Sequence, residues 1–160
     1  MQDKLDLAIG HNLINNGTSD DYYTPPAIFQ ALGVEFDIDV SAPFGGVSWI
    51  PAKSSFSVID DGLSQDWIGK VWMNPPFSGV TLWMNKFLDH GNGICLVNFA
   101  KSRWMDRLWS EAEAMLLLPS YHKFITAEGE YKGILMPCIM VAAGAEMVAA
   151  LKNSSLGFIR

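Results

Sequence analysis

Short β-prone runs, each ending in a polar or proline-bearing turn, constrain this chain more than any other feature. Residues 34–40 (VEFDIDV) alternate apolar and acidic side chains, the period of a half-buried strand. Residues 70–73 (KVWM) read as a strand running into Asn74-Pro75-Pro76-Phe77, and residues 93–99 (GICLVNF) form the clearest buried strand. Helical stretches stand between and around them. Thr24-Pro25-Pro26 opens one, with Thr24 as its cap; Ile28, Phe29 and Leu32 form its apolar face, and Gly33 ends it. A second helix is predicted over about 79–90, with Val80, Trp83, Met84, Phe87 and Leu88 on one face, and a third over 102–113. Residues 114–118 and 134–142 read as further strands, the latter interrupted by Pro137; residues 144–152 read as a helix, and Phe158-Ile159 as a closing strand. Strands alternating with helices imply an α/β fold with a largely parallel sheet, and the close C-terminal strands imply an added antiparallel hairpin.

Composition supports a single packed domain over residues 1–160. Apolar residues make up 49% of the 160 and charged residues 18%, which excludes global disorder. Residues 1–20 are polar, with a short helix expected around Leu5 to Ile14, and read as a peripheral, flexible segment. No apolar run is long enough for a membrane span, and the N-terminus lacks the pattern of a signal peptide, so a cytoplasmic location is expected. Cys95 and Cys138 sit in apolar runs as buried thiols, and His11, His90 and His122 are too scattered to make a metal site. The formal charge of −6 is uneven: residues 1–66 hold ten acids and two bases, residues 67–160 seven acids and nine bases. That division leaves room for a mildly basic face in the second half.

The tetrapeptide Asn74-Pro75-Pro76-Phe77 carries the chemistry. An exocyclic amine conjugated to a ring or carbonyl is a poor nucleophile because its lone pair is delocalised. Two acceptors aimed at its N–H bonds favour the tetrahedral, localised form. The Asn74 side-chain oxygen and the Pro75 carbonyl could supply them, by positioning and electrostatics. Pro75 and Pro76 stiffen the loop, and Phe77 offers a face for stacking. The methyl donor for such a site is S-adenosyl-L-methionine or an equivalent sulfonium. The plain alternative is a proline-rich turn between strand and helix.

Thr24-Pro25-Pro26, Asp39-Val40-Ser41-Ala42, Asp61-Gly62-Leu63 and Trp72-Met73-Asn74-Pro75-Pro76-Phe77, in that order, resemble the phage-type DNA N6-adenine methyltransferase (Dam) family. The resemblance spans roughly residues 22–143. It implies a reduced Rossmann-like methyltransferase fold and transfer of a methyl group from S-adenosyl-L-methionine to adenine N6 in DNA. It further implies a phage or prophage origin and a role in the bacterial host's cytoplasm. Carried over, it puts Tyr23, Thr24 and Pro25 at the methionine end of the cofactor, Asp39 near its amino group and Ala42 in the facing turn. Asp61 matches the acid that accepts from the cofactor's adenine, and Asn74, Pro75, Pro76 and Phe77 match the catalytic loop. A strand-end acid that caps a turn is the plain reading of Asp39, and a solvated turn that of Asp60 and Asp61.

The chain departs from the family pattern in three places. The turn after the first strand, Ser41-Ala42-Pro43-Phe44-Gly45-Gly46, is only loosely glycine-rich. The interval from Asp39 to Asp61 is too short for an ordinary helix–strand–helix–strand passage, and no acid can be assigned to the cofactor ribose. Tyr121-His122-Lys123-Phe124 stands where the family tends to show an arginine ahead of a Phe. Lys101, Arg103, Arg107 and Lys123 are the candidate DNA contacts, through phosphates, against the plain reading of a charged helix start. Trp67, Trp72, Trp83, Trp104 and Trp109 read as core, and Trp49 as a loop residue able to cover the cofactor. Six Trp and eight Met are compatible with a homodimer. The residues leave two other functions open: a protein-amide N-methyltransferase, and a degenerate methyltransferase-fold module that binds without catalysing.

Overall fold

The computed structural model describes residues 22–160; the expectations for residues 1–20 lie outside them. Helix α1 (Pro26–Leu32) leads into β1 (Phe36–Asp39) and β2 (Ala52–Ser55). Strand β3 (Val71–Met73) is followed by a 3-10 turn (Phe77–Gly79) and α2 (Val80–His90). Then come β4 (Gly93–Asn98), α3 (Arg103–Glu111), β5 (Ala114–Leu117), β6 (Phe124–Ile125) and β7 (Tyr131–Lys132). The chain closes with β8 (Cys138–Ala143), α4 (Ala145–Asn153) and β9 (Phe158–Ile159).

Seven strands form one mixed sheet in the order β2-β1-β3-β4-β8-β5-β9, and β6 and β7 pair separately. Strands β1 to β4 are mutually parallel, and β8 is antiparallel to both β4 and β5. Strands β1 to β5 therefore share one direction, with β8 and β9 running against them. The two late strands expected from the sequence do pair antiparallel, but not as a tight hairpin. The chain leaves the sheet after β5, forms β6 and β7, and returns through β8.

Period-two alternation divides the core between the two faces. Trp72, Ile94, Leu96, Leu116 and Met140 pack with α1 and α4. Val71, Met73, Cys95, Val97, Met115 and Val141 pack with α2 and α3. Wholly buried side chains such as Phe36 and Phe87 each stabilise the fold by roughly 1.5–3 kcal/mol. Gly33 ends α1 at φ 62 and donates its N–H to the Phe29 carbonyl, a conformation open to glycine at little cost. The N-cap is Pro25 rather than Thr24. A residue preceding proline is pushed to extended backbone, which suits the cap position, and Thr24 is buried for another use.

The stretch from Asp39 to Asp61 contains a strand that its composition conceals. Edge strand β2 pairs in parallel with β1, yet residues 40–51 reach it without a helix. From β1 the chain moves to one side of the sheet, and from β3 it moves to the other, through α2 to β4. The loops after β1 and β3 therefore diverge at adjacent strand ends. That divergence opens a crevice where open α/β sheets place ligands.

Among the described residues, no helix is long and apolar enough to cross a membrane.

Candidate functional site

A cleft of about 320 Å³ occupies this crevice. Its boundary includes Tyr23, Thr24, Asp39, Ala42, Asp61, Asn74 and Pro76. Seven of the sequence-predicted residues, spread over more than fifty positions, thus meet at one place. Pro25 and Pro75 are buried behind the wall, and Phe77 begins the 3-10 turn; none of the three bounds the cleft.

Asn74 is held at both ends. Its backbone N–H donates to Ser41 Oγ at 3.0 Å. Its side-chain Nδ2 donates to the Tyr22 carbonyl at 3.1 Å and lies 3.5 Å from Thr24 Oγ1. A carbonyl can only accept, so the Tyr22 contact fixes which end of the amide is nitrogen. Among the described residues both of these bonds use Nδ2, leaving Oδ1 as the acceptor available to a ligand. Thr24, expected to cap a helix, instead steadies the amide.

Asp39 ends β1 in a different state. Only 4% of it is exposed, and its one hydrogen-bond donor among the described residues is the Ser41 N–H at 3.2 Å. Burial pushes its carboxyl up to about 7, against a smaller lowering from Ser41. No lysine or arginine among the described residues pairs with it. A carboxylate buried without a cation costs free energy that a bound cation would offset. Ser41 serves both neighbours, its N–H bonding Asp39 and its hydroxyl accepting from Asn74. Sequence reasoning passed over Ser41, because its role rests on a contact between loops 33 positions apart.

The opposite wall is the Asp61 turn. Asp61 is exposed and takes φ 53, an uncommon conformation for a non-glycine residue. The next residue must be glycine, since a Cβ on Gly62 would lie 2.1 Å from the Val40 carbonyl oxygen. Helix α2 grips this turn. Lys86 Nζ donates to the carbonyls of Leu63 and Gln65, 5.0 Å from the Trp67 ring centroid. Trp67 Nε1 donates to the Gly62 carbonyl at 2.8 Å and stacks on Trp83.

Trp83, expected to be core packing, is only half-buried and bounds the cleft, as do Tyr22 and Phe56. The aromatic surface available to a flat ligand comes from these residues, whereas the sequence suggested Phe77. Trp72 and Trp104 are buried as expected, while Trp109 is half-exposed beneath Arg160. Trp49 bounds a second cavity of about 620 Å³ and donates from Nε1 to the Thr24 carbonyl at 2.8 Å. This cavity shares Tyr23 and Asp39 with the cleft, so the two adjoin at the end of β1.

The basic candidates divide. Lys101 and Arg103 follow the carboxyl end of β4, Lys123 follows that of β5, and all three are exposed. Arg107 is otherwise engaged. Its guanidinium pairs with Asp89 at 2.6 Å and Glu111 at 3.0 Å and bonds Asn85, tying α3 to α2. These partners hold it above its usual range and make it a cross-strut between the two helices.

Among the described residues no group of three or more His, Cys, Asp or Glu is placed to hold a metal ion. Compared with protein-family models and with curated proteins, the sequence matches none of them.

Proposed function

We propose that this chain is an S-adenosyl-L-methionine-dependent DNA methyltransferase acting on the exocyclic amine of adenine. The observation that carries this reading is Asn74 at the switch-point cleft, its Nδ2 pinned and its Oδ1 without a partner among the described residues, beside the buried Asp39, which no described lysine or arginine pairs. The sheet is then a reduced Rossmann-like methyltransferase sheet in which a loop replaces the first crossover helix.

The cleft suits the cofactor. A buried carboxylate with no cation beside it among the described residues fits an ammonium group, and the acceptor at Asp61 and the ring of Trp83 fit an aminopurine. When bound, the cofactor supplies a methyl group on a positively charged sulfur. The chain's residues do the rest. Asn74 Oδ1, which faces the cleft, would accept an N–H bond of the target amine and so localise its lone pair, while Pro75, buried behind the wall, stiffens the loop that carries it. After accepting the methyl group that the cofactor would supply, the target nitrogen would release its surplus proton to water. No strong base is required, because the product amine is only weakly basic once conjugation returns. Ser41 and the Tyr22 carbonyl keep the acceptor in place, so little reorganisation accompanies the step.

Exposed Lys101, Arg103 and Lys123 stand off the same end of the sheet as the cleft. Cations there favour a polyanion over a protein amide as substrate. The test is transfer from labelled S-adenosyl-L-methionine to unmethylated DNA, followed by digestion to nucleosides. Labelled N6-methyladenine is the expected product; label in protein alone, or in no acceptor, would sink the assignment.

A further inference from the structure

Residues 133–137 (GILMP) join β7 to β8. Ile134 packs against the core, and the Phe99 N–H donates to the Pro137 carbonyl at 2.8 Å. Between these ties Leu135 is 103% exposed and Met136 51%. A lone exposed leucine is ordinary, but three further observations bear on this one.

The first is its place. Cys138 begins β8 opposite Asn98, the last residue of β4. Residues 133–137 therefore stand off the carboxyl end of β4, the strand beside β3 and its Asn74. The second is its company, for Phe99 on the tied loop is itself exposed. The third is charge. Segments 99–103, 119–124 and 131–137 carry exposed Lys101, Arg103, Lys123 and Lys132 and not one acid. Glu128 and Glu130 belong to the turn between β6 and β7, where Gly129 faces the second cavity.

Uncovered aliphatic side chains among cations match a duplex whose phosphates are held while its base stack is opened. Proteins that distort a duplex insert such wedges between base steps, and an enzyme working on a paired base must turn that base out. We infer that Leu135, supported by Met136, is the wedge that occupies the stack when a nucleotide turns out of a duplex toward Asn74. This inference rests on the DNA-methylation reading. It predicts a residue needed for paired DNA and dispensable for unpaired DNA, which a structural role would not produce.

The experiment measures kcat/KM for methyl transfer on one unmethylated DNA in two forms, native duplex and heat-denatured strands, with wild type, Leu135→Ala and Leu135→Met. Leu135→Ala is expected to lower the duplex value about tenfold or more and to leave the denatured-strand value unchanged. Leu135→Met should restore most of the loss. An equal loss on both forms, or no loss on duplex, overturns the wedge while wild-type transfer keeps the methylation reading standing. Absence of transfer by the wild type to either form overturns that reading, and the wedge with it.

Discussion

The floor of the cleft and the basic rim lie at the same end of one sheet but are fixed very differently. In the cleft, Asn74 is bonded through backbone and side chain, and Ser41 ties it to Asp39. On the rim, Lys101 and Lys123 lie in exposed loops and the exposed Arg103 opens α3. The contrast follows the proposed tasks. Methyl transfer needs acceptors at fixed directions, because a small misplacement of the amine is costly. Neutralising a phosphate needs charge within reach, and a long side chain can find it.

If that contrast is right, substitutions on the floor should cost far more turnover than those on the rim. The largest effect is expected from Asn74→Ala, which should lower kcat by roughly 10²–10³-fold with the thermal unfolding curve near wild type. Single-turnover rates would check it, and a rate within a few-fold of wild type would remove Asn74 from the mechanism.

Asp39 comes next, and its sign can be worked out. Its carboxyl sits near 3.8 in an unfolded chain and about 7 in the fold. The unfolded state therefore releases its proton first as pH rises. Stability of the ligand-free protein should fall between about pH 4 and pH 7 and level off above. Asp39→Asn should relieve this, raising stability at pH 7 by on the order of 2 kcal/mol, while weakening the cofactor by more than tenfold. Denaturant titrations across pH, paired with calorimetric binding, test both halves; a variant less stable than wild type at pH 7 would contradict the account.

The rim should respond through salt. Replacing Lys101, Arg103 and Lys123 together by Ala should cut DNA affinity at low salt and lower the slope of log affinity against log salt by about 2–3, with kcat unchanged. Arg107→Ala, which removes a strut, should leave that slope alone; an equal drop would return Arg107 to the DNA surface. Smallest is Ser41→Ala, which deletes one hydrogen bond to the Asn74 backbone and should reduce kcat about fivefold, near 1 kcal/mol. If KM for the cofactor moved and kcat did not, Ser41 would serve Asp39 alone.

How legible these regions are in the sequence depends on how local their causes are. Strand β1 announces itself by alternating apolar and acidic side chains, and β3 and β4 by continuous apolar runs. Strand β2 (AKSS) does not, since only Ala52 is even half-buried and its pairing with β1 is a backbone matter. Strands β6 and β7, two residues each, are set by crossing contacts such as the Tyr23–Ile125 bridge. The same holds for the site. Asn74 and its prolines are a contiguous signature, so they were visible. Ser41 became important only when another loop arrived beside it, and Trp83 only when Gly62 let a turn pass close to its ring. Arg107 looked free because its partner Asp89 lies eighteen positions away on another helix.

Helix α2 begins directly after the Asn74 loop and grips the Asp61 turn through Lys86, Trp83 and Trp67. Both walls of the cleft are thus mounted on a single beam. A tilt of that beam would carry Asn74, the proposed acceptor, and Asp61 in step, so their spacing would survive the motion.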